Sequence, residues 1–239
     1  MAEFLRRADA VQPDQPDVLM KLSLAQLKAG HTARAINVAR RLYALQPDNP
    51  DHLYVLAYTL AESDNYEEAL PIARSLTENR PKDANGLLLL GVIDYKLGNL
   101  VEAKQAIERS LSVNADSGEG KFYSALIAKQ EGNVDVAQGL LEEIVRENPN
   151  YANAQVELGT LYVQRGKPEL ARPLLERAVS AAPSVSLYHY QLGLAYSRLG
   201  LQDLAKAQMD QYAMLRKRED ENRKQLTNPT KNSNEGDHP

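Results

Sequence analysis

Side chains suited to bond-making chemistry are few and scattered in this chain of 239 residues. The histidines are His31, His52, His189 and His238. No His-Glu-x-x-His occurs and no two histidines stand four apart, so no helix face offers a zinc pair with its general base. Cysteine is absent, which removes thiolate metal sites, cysteine nucleophiles and disulfides. Gly118-Glu119-Gly120 lacks the lysine and the strand–helix setting of a phosphate-cradling loop. Neighbouring carboxylates such as Glu67/Glu68 and Glu142/Glu143 read as solvated helix exteriors. The expectation is a non-enzyme with no catalytic residue, no metal and no cofactor.

Contact chemistry is better represented. Six rows step by four and then three: Met20-Leu24-Leu27, Tyr54-Tyr58-Ala61, Leu88-Val92-Tyr95, Phe122-Leu126-Lys129, Val156-Thr160-Val163 and Tyr190-Leu194-Ser197. That stepping keeps each row on one side of a helix. Tyrosine and phenylalanine there supply broad, rigid contact area at little entropic cost. The candidate partner-binding residues are Met20, Tyr54, Tyr58, Leu88, Tyr95, Phe122 and Tyr190, with Tyr123 one step aside. Part of each row could equally be packing between neighbouring helices. Units one to four are more apolar than unit five, which puts the expected site in the N-terminal two-thirds.

The elements that must hold these rows repeat. Ala35, Ala69, Ala103, Ala137, Ala171 and Ala205 are spaced by 34 residues. So are the small residues Ser23, Ala57, Gly91, Ala125, Gly159 and Gly193. A third column reads Gly30, Asp64, Gly98, Gly132, Gly166 and Gly200, and a fourth Pro47, Pro81, Ala115, Pro149 and Pro183. Six unbroken units follow: 16–49, 50–83, 84–117, 118–151, 152–185 and 186–219. Each reads as two helices. The glycine column supplies a left-handed residue that ends the first helix, and the proline column stops the second. The small and alanine columns let the two helices approach closely. A two-helix hairpin cannot bury both its faces, so the hairpins must stack.

Unit length and columns resemble the tetratricopeptide repeat. Leu158, Gly159, Tyr162, Gly166, Ala171 and Pro183 of unit five match its pattern best, with Leu192, Gly193, Tyr196, Gly200 and Ala205 of unit six; unit four departs at Ser124. The resemblance covers 16–219. It implies an all-α, right-handed α-solenoid whose first helices line a concave groove, into which the rows above would point. It also implies a scaffold or adaptor that binds a peptide or helix of a partner protein through apolar anchors. One subclass clamps acidic C-termini with lysine, asparagine and arginine. Here the column where the asparagine is needed holds Leu24, Tyr58, Val92, Leu126, Thr160 and Leu194, so that clamp is absent. Flanking Lys21, Lys28, Glu62, Lys96, Lys129 and Glu157 mix signs, favouring neither strongly acidic nor strongly basic ligands.

Residues 1–15 read as the second helix of a truncated unit, with Leu5 and Ala8 inward and Pro13 in phase with Pro47. The chain is then a portion of a longer protein, or Phe4, Leu5 and Val11 form an open edge that pairs two copies, making it a self-associating spacer of a larger bacterial assembly protein. The last helix is expected to continue through 220–226 as a solvated cap, with 227–239 a disordered tail. Residues 112–120, which hold two glycines and lack the column proline, read as the soft junction. A net charge of −4, from 28 basic and 32 acidic residues, argues against nucleic acid as partner. No apolar run reaches the ~20 residues of a membrane span. Cytoplasm and periplasm suit the composition equally.

Overall fold

The computed structural model describes residues 1–227, with side chains as far as Glu221, and every regular element among them is an α-helix. α1 (Ala2–Val11) precedes α2 (Pro16–Lys28), α3 (Thr32–Leu45), α4 (Pro50–Ala61), α5 (Tyr66–Asn79), α6 (Ala84–Leu97) and α7 (Leu100–Val113). Then come α8 (Gly118–Gln130), α9 (Val134–Glu147), α10 (Ala152–Gln164), α11 (Pro168–Ala181), α12 (Ser186–Arg198) and α13 (Gln202–Thr227). First helices begin at 16, 50, 84, 118, 152 and 186, and second helices at 32, 66, 100, 134, 168 and 202. This is an all-α solenoid of helical hairpins. It falls into two compact units, Met1–Asn133 and the part from Val134 onward, divided in the turn between α8 and α9.

Both kinds of turn follow from the columns. Gly30, Gly98, Gly132, Gly166 and Gly200 all have φ between 69° and 82°, and Asp64 has φ 58°. The amide after each of them donates back to the carbonyl five residues earlier, as in His31 to Gln26 and Asn65 to Leu60, both at 2.9 Å. This bond and the left-handed residue together form a Schellman stop. Between hairpins, the amides of Asn49, Asp83, Tyr151 and Val185 donate to the carbonyls of Gln46, Arg80, Asn148 and Ala182. Proline stands second in each of these four-residue turns, where its fixed φ is already that of the turn. Several turns end on a cap for the next helix. The side chains of Asn49 and Asp83 accept the amides of Asp51 (2.9 Å) and Asn85 (3.0 Å).

The junction at 112–120 keeps the same length as the others. Ser117 Oγ accepts the amide of Gly120 at 3.0 Å, and a Cβ on Gly120 would stand 2.9 Å from Leu111 Cδ2. The second glycine thus lies close against Leu111. Pro71 and Pro173 sit sixth in α5 and α11, one turn deeper than first-turn prolines. Both are exposed, so the carbonyl that each leaves without a partner faces water.

Small residues mark the crossing of each hairpin. A Cβ on Gly91 would lie 2.6 Å from Ile107 Cδ1, on Gly159 2.7 Å from Leu175 Cγ, and on Gly193 2.9 Å from Met209 Cε. Ser23 at the same column donates to the carbonyl of Ala35 and shares a hydrogen bond with Thr59, each at 3.1 Å, so it ties α2 to α3 and to α4. The alanine column is buried throughout. In the first unit α2, α4, α6 and α8 pack side by side in chain order, as α10 and α12 do in the second.

At the N-terminus α1 packs on α2. Leu5 is buried while Phe4 and Val11 are 72% and 81% exposed. Arg41 of α3 holds the helix with ion pairs to Asp9 (2.8 Å) and Asp14 (2.7 Å). The expected C-terminal tail lies outside the described residues, except Thr227, which ends α13.

Candidate functional site

A cavity of about 330 Å³ opens on the first unit. α4 contributes Tyr54, Tyr58 and Ala61, followed by Glu62 at its cap, Asp64 in the turn and Tyr66 at the start of α5. α6 supplies Asn85, Leu88, Leu89, Val92 and Lys96, and α8 supplies Glu119 and Tyr123. Helical stepping explains the α4 wall: residues 54, 58 and 61 share one face. The Tyr54 and Tyr58 rings are parallel to within 4°, with centroids 5.9 Å apart. Both pack, partly buried, against the core cluster that includes Leu56, Leu60 and Ile93.

The remaining wall is braced. The Tyr123 ring meets Tyr95 edge-on at 5.6 Å and Phe122 at 5.7 Å. Tyr66 Oη donates to Asp64 Oδ1 at 2.7 Å, so the residue that closes the α4 turn also orients a phenol of the cavity. Burial, then the charges of Glu119 and Glu62, push the Tyr123 hydroxyl up to about 12. Burial foremost also raises Tyr54 and Tyr58, with the neighbouring phenol and Asp83 next for Tyr54 and Glu62 next for Tyr58. Desolvation, followed by the Glu62 carboxylate, holds Glu119 above its ordinary value. The cavity is a tyrosine-walled, net acidic space.

Of the residues singled out in the sequence, Tyr54, Tyr58, Leu88 and Tyr123 come together here. Phe122 does not join them. It is only 7% exposed and does not line the cavity. Tyr95 lies behind Tyr123 rather than on the cavity wall, against the cluster of Ala103, Ile107 and Ile127. Met20 packs on the core beside Leu19. Tyr190 belongs to the second unit, where its ring lies 5.2 Å from that of Tyr212. Sequence reasoning missed Asp64, Tyr66, Asn85 and Glu119, because these stand at helix ends and turns and belong to no helical row. The mixed charge expected of the flanking positions also gives way at the cavity, where Glu62, Asp64 and Glu119 face Lys96 alone.

Other tyrosines serve the framework. In the second unit Tyr162 donates to Glu142 and Tyr196 to Glu176, both at 2.8 Å, tying each first helix to the preceding second helix with the same 20-residue offset. His189 bonds to the Pro183 carbonyl and to Gln208, and so is a structural residue. Among the described residues no group of three or more His, Asp or Glu could hold a metal ion. No described helix is long and apolar enough to cross a membrane.

Two family models match the sequence: anaphase-promoting complex, cyclosome, subunit 3 over residues 7–110, and tetratricopeptide repeat over residues 128–194. The chain belongs to the tetratricopeptide repeat family. Tetratricopeptide repeat proteins act as protein-interaction scaffolds, and their fold is generally non-catalytic. The crystal structure of the APC/C hetero-tetramer Cut9-Hcn1 matches with a TM-score of 0.80 at 14% identity, over 88% of this chain and 42% of that one. This chain thus spans less than half of that relative. A tetratricopeptide repeat protein from Parabacteroides merdae gives 0.71 at 20% identity, over 90% and 85% of the two chains. An IFIT1 monomeric mutant with Gppp-AAAA gives 0.72 at 19% identity, over 83% and 50%. Likeness at these identities is one of fold. No curated protein sequence matches the chain.

Proposed function

We propose that this tetratricopeptide repeat chain is a non-enzymatic scaffold that takes a segment of a partner protein into the face formed by α4, α6 and α8. The observation that carries the reading is the cavity itself, in which tyrosines from the second and fourth repeats stand half-buried around open space. Its size lies at the low end of the ~300–1,000 Å³ of ordinary ligand sites, which suits one or two side chains of a longer bound segment. Carboxylates at the rim favour a protein segment over the phosphodiester backbone of a nucleic acid.

A photo-crosslinking amino acid at Val92, inside the cavity, tests this reading. It should capture a partner, whereas the same group at Val101, 66% exposed on α7, should capture none. Capture at Val101 alone would overturn it. A second reading, self-association through α1, draws on the exposed Phe4 and Val11. Light scattering that finds a monomer at every concentration would remove it.

A further inference from the structure

The lining of the cavity has a chemical bias that an apolar groove does not require. Three carboxylates, Glu62, Asp64 and Glu119, stand with Lys96 among its polar residues, which leaves an excess of negative charge. They come from the cap of α4, the turn after it and the first turn of α8, and so share one lining only through the stacking of three hairpins. The same lining holds the parallel rings of Tyr54 and Tyr58 and the ring of Tyr123. Aromatic faces carry negative potential at their centres and attract cations. Both kinds of wall therefore call for the same guest.

We propose that the cavity is a receptor for a basic side chain, arginine above all, presented by the partner's bound segment; the proposal rests on the reading of this face as a partner groove. A guanidinium fits the lining in three ways. Its plane stacks on tyrosine, its fork of donors matches carboxylates, and its alkyl stem can lie along Leu88 and Val92 while the head reaches the acidic rim. A hard metal ion is a poorer guest, since the site offers no group of converging ligands. Burial first, and the neighbouring carboxylates after it, raise the Glu119 carboxyl and the three phenols, and a bound cation would offset the carboxylate share.

The test is a selection from a displayed library of random twelve-residue peptides against the whole chain, followed by titration of one recovered peptide as a synthetic copy. Recovered peptides should be enriched in arginine or lysine. Replacing the enriched arginine with citrulline, which keeps shape and removes charge, should weaken binding at least ten-fold. Glu62→Gln with Glu119→Gln should erase the difference between the two peptides. Peptides that bind without a basic residue, or that tolerate citrulline unchanged, would overturn the inference and leave the groove reading intact. Recovery of no peptide by the folded chain would overturn both.

Discussion

Tyr54 and Tyr58 lie ring beside ring, 5.9 Å apart and parallel, on one face of α4. Both pack, partly buried, against the core and both line the cavity. Removing both rings should weaken capture of a partner segment by ~10- to 100-fold, the range expected when rigid aromatic anchors are lost. Tyr54→Ala with Tyr58→Ala, followed by titration and by thermal unfolding, checks this. Binding that persists with an unchanged constant would show that the segment lies elsewhere. Tyr58→Phe, which keeps the ring, should bind almost as the parent does.

Gly91 faces Ile107 with no room for a methyl group. A Cβ there would stand 2.6 Å from Ile107 Cδ1 and 3.2 Å from the Ala103 carbonyl oxygen. Gly91→Ala should therefore destabilise by ~1–3 kcal/mol despite the higher helix propensity of alanine. Denaturant unfolding measures the change. Gly139, whose Cβ would meet nothing, is the control: Gly139→Ala on the open face of α9 should be neutral or stabilising.

Acid should loosen α1 before it affects the hairpins. The hydrogen bond from Arg41 holds the Asp9 carboxyl below its ordinary value. A carboxyl lowered in the folded state stabilises above its unfolded value near 3.8 and loses that contribution as pH falls through the folded value. Amide exchange in α1, corrected for intrinsic rates, should thus accelerate several-fold between pH 5 and about pH 2, corresponding to ~1 kcal/mol for a partly exposed pair. Arg41→Ala should remove the pH dependence and leave α1 loose at neutral pH.

Asp64 occupies a left-handed position, φ 58°, that every other repeat gives to glycine. Its side chain also receives the Tyr66 hydroxyl at the cavity. Asp64→Gly should relieve ~1 kcal/mol of backbone strain and raise the melting temperature by a few degrees. The same change frees Tyr66 and lowers the negative charge, so affinity for a basic peptide should fall. A variant that is both more stable and an equal binder would contradict this account.

Much of the fold was legible in the columns. The spacing of Gly30 through Gly200 and of Pro47 through Pro183 names both turn types, and the helices start where that phase puts them. The reason is local: a left-handed residue and a fixed φ act within a few residues. The cavity was legible only in part. Tyr54 and Tyr58 share a helix face that periodicity reveals. Phe122 holds the same place in its repeat as Tyr54, yet it is buried and does not line the cavity. How far a first-helix residue is covered depends on the rotation between neighbouring hairpins, which no single helix encodes. Glu119 joins Glu62 across two repeats for the same reason.

The aspartate at the turn of the second hairpin has an evolutionary consequence. Selection for robustness alone would replace it with glycine, the residue that its sister turns already carry. Were the acidic hollow beside it idle, the hydrogen bond from Tyr66 would be what held aspartate there against glycine.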